Sequence, residues 1–195
     1  MDQQVKLEYF SDYVCPYCWL AEPALREIQK ETPGLQVVWR SFELRPDPLP
    51  TLEPHGEYLT GVWRELVYPL AEKMGVEMHL PPVQPRSRAA HEAAHFAAGE
   101  GRFEAMNDEI FRAFFQRGED ISRKDLLVQL GVNIGLDGRK LEVALESGLF
   151  AKNVVADQEL AHKLGIVSVP AYLVNRKRAV TGARDLEDLR KMINI

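Results

Sequence analysis

Cys15 and Cys18 are the only cysteines in this chain, and they stand three positions apart in SDYVCPYCWLAEP. Two thiols at that spacing, between a strand-like and a helix-like run, suit thiol–disulfide exchange. The reacting species is the thiolate rather than the thiol. A helix N-terminus carries roughly half a positive charge and unpaired N–H groups, so it favours an anion at the first of the two positions. Cys15 is therefore expected as an exposed attacking thiol. Cys18, nearly one turn on, is expected as the shielded thiol that resolves the mixed disulfide. Pro16 fits the first helical turn, where its missing N–H does no harm. Tyr17, large and amphipathic, is a candidate wall of a substrate groove. Zinc is the competing chemistry for a cysteine pair, but it usually takes four ligands. His91 and His95, an i,i+4 pair in HEAAH, would have to complete the set. Two inert cysteines and two histidines that merely pack are the plain alternatives. The reading favours the dithiol and assigns no metal.

A second stretch bears on the same chemistry. Ile166-Val167-Ser168-Val169-Pro170 leads straight into a strand-like run. Proline is tolerated at a strand's first residue, and an X–Pro bond is a candidate for the cis form, which turns the chain sharply. At such a turn the backbone of Val169 can pair with an extended substrate across from Cys15. Tyr17, Val169 and Pro170 are thus the expected substrate-binding residues. Pro16, Asp12 and His91 are auxiliary candidates.

These residues need elements to hold them. Val5–Phe10 reads as a strand, and Pro16–Glu31 as a helix with Leu20, Ala24, Leu25 and Ile28 on one side. Thr32-Pro33-Gly34 stops that helix, and Leu35–Leu44 is a second strand rich in β-branched and aromatic residues. This is a βαβ unit, so its strands should be parallel. After a proline-rich connection the pattern is helical for about 110 residues. The expected helices are Glu57–Met74, Arg86–Ala98, Arg102–Phe115, Ser122–Leu130, Asp137–Glu146 and Phe150–Leu164. Ser122 and Asp137 look like N-caps. Strands return at Ala171–Asn175 and Ala179–Thr181 around Arg176-Lys177-Arg178, a hairpin with a charged tip and no Asn-Gly turn. A short helix over Asp185–Ile193 closes the chain. The fold class is α/β, βαβ plus ββα around one sheet, with residues 1–44 and 166–195 forming the sheet domain. Residues 45–165 form an inserted helical subdomain, because neither half of the sheet buries a core alone.

Composition narrows the function classes. The chain has 195 residues, 46% of them hydrophobic and 27% charged, and a net charge of −5. That is a globular composition with no basic footprint for nucleic acid or an anionic membrane surface. The opening MDQQVKLEYF has neither a positive n-region nor a long apolar stretch, so a cytoplasmic protein is expected.

CPYC after a strand, SVP before a hairpin and Pro23 eight residues after Cys15 together resemble the thioredoxin superfamily. The long helical insertion is similar to that of the DsbA family, in particular its FrnE-like branch. FSDYVCPYCW, AAHEAAHFAAGEGRFEAMNDEIFRAFFQRGEDIS and VSVPAYLVNRKRAVTGARDLEDL carry the likeness, which spans nearly the whole chain. The resemblance implies a thiol–disulfide oxidoreductase with a thioredoxin-like fold. Cys15 would be its nucleophile, Cys18 its resolving thiol and Pro170 its cis-proline. It implies no cofactor beyond the Cys15–Cys18 disulfide, with glutathione a candidate reductant and protein or small thiols as substrates. The redox partner is unspecified, and the protein is expected as a monomer or homodimer. Tyr9 departs from the pattern: it stands six residues before Cys15, where many relatives carry a buried acid, with Glu8 and Asp12 nearby. The same fold hosts glutathione-dependent transferases and 2-hydroxychromene-2-carboxylate isomerases, which generally carry serine at the first-cysteine position. A holdase without chemistry is the remaining alternative.

Overall fold

The computed structural model describes residues 5–177 and 179–193. The first four residues of the opening segment and Arg178 of the hairpin tip lie outside them. The chain divides into two compact units, residues 1–44 with 157–195 and residues 45–156.

The first unit is built on β1 (Lys6–Ser11), α1 (Pro16–Glu31), β2 (Gln36–Ser41), β3 (Ala171–Val174), β4 (Ala179–Thr181) and α9 (Leu186–Ile193). Among the described residues the strands form one mixed sheet in the order β2-β1-β3-β4. β1 and β2 are parallel, as the helical crossover between them requires. β3 runs antiparallel to β1 and pairs with β4 as a hairpin. One core joins the sheet to the helices: Leu7, Tyr9 and Tyr172 from the strands, Ala21, Leu25 and Ile28 from α1, and Leu189 and Ile193 from α9. Burial of the α1 positions follows the helical period, which is why they were legible as a stripe.

The hairpin turn has its own solution. Asn175 and Arg176 both take positive φ, 47° and 55°, and the Lys177 N–H bonds the Val174 carbonyl at 3.0 Å. Positive φ at both central residues is the conformation of a type I′ turn, normally met by Asn-Gly. Asn175 suits the conformation and adds a bond from the Lys6 N–H to its side-chain oxygen at 2.9 Å. Arg176 has no such aptitude and is held there by the strands on either side.

The second unit contains α2 (Glu57–Val62), a π-helical turn (Trp63–Val67), α3 (Tyr68–Met74), α4 (Arg88–Gly99), α5 (Phe103–Phe115), α6 (Lys124–Asn133) and α7 (Gly138–Ser147). The run expected as one helix over Glu57–Met74 is continuous but widened in its middle, just before Pro69. Proline cannot donate the next hydrogen bond, and the Tyr68 N–H reaches Trp63 instead. Asp137 caps α7 by accepting the Lys140 N–H at 3.1 Å. Ser122 does not cap α6. The N-cap is Arg123, while the Ser122 hydroxyl and N–H both turn back to Asp120.

α8 (Ala151–Lys163) carries the chain from the second unit into the first. The sequence reading ends the insertion at 165, whereas the residues from Asp157 on group with the sheet. The reason is polar. Asp157 accepts the Ser41 N–H at 3.0 Å and pairs with Arg40 at 2.9 Å. The Gln158 amide exchanges hydrogen bonds with the backbone of Glu43 at 2.7 and 3.3 Å. Arg40 also holds Glu8, a carboxylate 1% exposed on β1, at 2.6 Å. Burial pushes the Glu8 carboxyl up. Its hydrogen bonds and ion pair with Arg40, with Lys6 and Arg176 beyond, outweigh that and hold it below its ordinary value.

Candidate functional site

The register of the sheet assembles the site. Phe10 pairs with Ala171 across β1 and β3, so Val169 and Pro170 lie next to the segment that leaves β1. That segment, Asp12 to Val14, turns at once into α1. Cys15 is the N-cap of α1, in extended conformation, and Pro16 occupies the first helical turn.

Both cysteines are free of a disulfide and buried. The Cys15 N–H bonds the Asp12 carbonyl and the Cys18 N–H bonds the Cys15 carbonyl, each at 3.1 Å. These bonds close the first turn and bring the two side chains to the same end of the helix. The Cys15 S–H donates to the Val169 carbonyl at 3.5 Å. The expectation of an exposed Cys15 is therefore corrected: it is 3% exposed and lies against the backbone of the segment entering β3. Cys18 is fully buried. Burial pushes its thiol well above the ordinary value, and the neighbouring Cys15 adds to this. Only the Asp12 N–H, at 3.5 Å from its sulfur, and Ser11 pull the other way. The two thiols thus differ in burial, 0% exposed for Cys18 against 3% for Cys15, and burial favours the protonated form of Cys18.

The Val169–Pro170 peptide is cis, as is Asp47–Pro48. The Pro170 carbonyl accepts the Gly182 N–H at 2.8 Å, which ties the entry of β3 to the end of β4. Tyr17 and Pro16 are half-buried on the first turn of α1, so Tyr17 is less open than the sequence suggests. Asp12 is fully buried, and its carboxylate accepts the Leu44 N–H at 2.7 Å.

His91 belongs to the second unit, buried on α4 and 4% exposed. His95, one turn on, stacks on Phe150 with the rings 5° from parallel. Among the described residues no group of three or more His, Cys, Asp and Glu side chains gathers in a metal-holding arrangement.

Behind the cysteines the structure gives Tyr9, noted in the sequence only as standing where many relatives carry an acid, its contacts, and adds Glu22, which the sequence reading did not single out. The Tyr9 hydroxyl donates to the Cys18 carbonyl at 2.9 Å, and its ring lies 5.1 Å from that of Tyr172. Burial pushes the Tyr9 hydroxyl well above its ordinary value, with Cys18, Tyr172 and Glu22 reinforcing the shift. Glu22, four residues after Cys18 on α1, is 2% exposed and accepts the Trp39 indole N–H at 3.2 Å. A charged residue on the apolar stripe of α1 was the available signal for Glu22.

Residues 6–194 match the model of the DSBA-like thioredoxin domain family. The chain is 34% identical to the uncharacterized protein YwbO of Bacillus subtilis (strain 168), over 97% of this chain and 96% of that protein. A crystal structure described as a probable DsbA oxidoreductase from Streptomyces coelicolor superposes with a TM-score of 0.80. It is 25% identical and covers 97% of this chain and 88% of its own. A 2-hydroxychromene-2-carboxylate isomerase superposes with a TM-score of 0.78 over 97% of this chain and 94% of its own. At 16% identity that likeness is one of fold.

Proposed function

The chain belongs to the DSBA-like thioredoxin domain family, and from that premise we propose that it is a thiol–disulfide oxidoreductase of the FrnE-like branch, working through Cys15 and Cys18. The observation that carries this reading is the pair of cysteines at the strand–helix junction, with the Cys15 sulfur 3.5 Å from the Val169 carbonyl. In the direction of reduction, the Cys15 thiolate attacks one sulfur of a substrate disulfide. The substrate S–S bond breaks, and the leaving sulfur takes up a proton as a thiol. Cys18 then loses its proton and attacks the Cys15 sulfur of the mixed disulfide. The second substrate thiol departs, and a Cys15–Cys18 disulfide remains. A dithiol or glutathione returns the pair to the reduced state, and the reverse sequence oxidises a substrate dithiol. Pro170 and Val169 hold an extended substrate against Cys15 through backbone pairing, with Tyr17 beside it.

Substrates are protein or small-molecule disulfides, and the resident redox group is the Cys15–Cys18 pair itself. The second reading, a glutathione-dependent isomerase, is favoured by the fold likeness alone. Those enzymes generally carry serine at the first-cysteine position, and Cys15 stands against it. Among the described residues no helix is long and apolar enough to cross a membrane. A cytoplasmic location is part of the proposal, since two cysteines make no disulfide framework for a chain of this size.

Insulin reduction, coupled to glutathione and glutathione reductase, tests the activity. Equilibration of the pair in glutathione buffers tests its direction. A potential near about −270 mV makes it a reductant, and one near about −120 mV an oxidant. A Cys15–Cys18 pair that exchanges with neither glutathione nor a dithiol, in either direction, overturns the proposal.

A further inference from the structure

Asp12 makes more contacts with the dithiol than its place before the motif suggests. Its N–H lies 3.5 Å from the Cys18 sulfur. Its carbonyl accepts the Cys15 N–H at 3.1 Å. Its carboxylate, fully buried, accepts the Leu44 N–H at 2.7 Å and lies 3.5 Å from the Val14 N–H. One residue thus touches both cysteines through its backbone and fixes that backbone through its side chain. The anchor at the far end is firm. Leu44 follows Glu43, whose backbone is held on both sides by Gln158, and Ser41, whose N–H is held by Asp157.

We propose that Asp12 is a positioning residue for the resolving step, its carboxylate clamping the Asp12 backbone to Leu44 so that its N–H stays aimed at the Cys18 sulfur. The assignment rests on the dithiol reading above. The physical need is specific. Cys18 is buried and reacts as an anion, and a backbone N–H fixed beside its sulfur is a donor to that anion. A loose loop would have to be ordered again at each turnover, at a cost in backbone entropy. The side chain acts as a hydrogen-bond acceptor, so asparagine, with the same shape and one acceptor oxygen, should replace it. Alanine cannot.

The probe is 5,5′-dithiobis(2-nitrobenzoate), used at one equivalent with the reduced full-length protein. Cys15 attacks and releases one nitrothiobenzoate in a phase that depends on concentration. Cys18 resolves the adduct and releases the second in a phase that does not. Asp12→Ala should slow the second phase about tenfold and the first by much less, and Asp12→Asn should recover the second phase to within about threefold. A second phase in Asp12→Ala equal to that of the native protein overturns the proposal. So does equal slowing of both phases, which marks a merely structural role, and so does failure of Asp12→Asn to rescue. If the native protein shows no Cys15-dependent first phase, the dithiol reading itself has failed, and the two failures are distinguished. Should Asp12→Ala not fold, amide NMR of the native protein decides. Oxidation ties the Cys18 sulfur into a disulfide and weakens it as an acceptor, so the Asp12 N–H resonance should shift. An unchanged Asp12 resonance overturns the proposal.

Discussion

The S–H of Cys15 donates to the carbonyl of Val169, 3.5 Å away in space and 154 residues away in the chain. Nothing local links the two. The link is the antiparallel pairing of β1 with β3, which sets Phe10 opposite Ala171 and so lays the residues before β3 along those after β1. A helix start supplies the first thiol, a strand start supplies the carbonyl, and the sheet register supplies the distance.

The inequivalence of the two thiols predicts the order of alkylation. Cys18 is fully buried and burial pushes its thiol above the ordinary value, so it should react slowly with an alkylating agent at neutral pH. Iodoacetamide at pH 7 should label Cys15 first, and Cys18 should react only as the pH rises past the ordinary thiol range. Peptide mapping of the labelled protein checks the order. Cys15→Ser should reduce insulin turnover to background, whereas Cys18→Ser should accumulate mixed disulfides visible on non-reducing gels.

The Glu8–Arg40 pair predicts an acid-dependent loss of stability. Glu8 is held below its ordinary value when folded. Its contribution is therefore present above the ordinary carboxylate range and disappears as pH falls through the lowered folded value. Glu8→Gln should cost roughly 2–3 kcal/mol at pH 7, because it leaves Arg40 with Asp157 alone. The gap between variant and native protein should close as the pH falls. Urea unfolding at pH 7 and in acid measures both points.

Arg176 holds a left-handed conformation at φ 55° in the second position of the hairpin turn. For a residue with a side chain that conformation costs about 1–2 kcal/mol. The compensating pair with Glu8, at 3.6 Å, involves an arginine 69% exposed and returns only part of that. Arg176→Gly should stabilise the protein by about 0.5–1 kcal/mol. A lower thermal midpoint in the variant would refute this.

Asp137 caps α7 through the Lys140 N–H at 3.1 Å. Asp137→Ala should lower stability by about 1 kcal/mol. Ser122→Ala, at a serine that caps no helix, should cost less. Parallel denaturation curves of the two variants compare them.

The sequence alone determined the elements and the reagents. The 3.6-residue stripe of α1, the β-branched run of β2, the Asp137 cap and the i,i+3 cysteines are all local, because periodicity and capping depend on neighbours within a few positions. The parallel pairing of β1 with β2 was legible too, since a helix between two adjacent strands leaves little choice. The tertiary structure decided what each side chain meets. Burial of Cys15 against Val169, the turn of the Asp12 carboxylate to Leu44, and the Glu8–Arg40–Asp157 cluster all join residues 32 to 154 positions apart. Ser122 failed as a cap because Asp120, two residues back, accepts both its hydroxyl and its N–H. The sequence placed Asp12 and Glu8 near the dithiol and Glu22 on an apolar stripe, but it named a partner for none of the three carboxylates. Whether a charge is solvated or buried depends on which distant N–H, guanidinium or indole the folded chain places against it, and no short-range pattern encodes that.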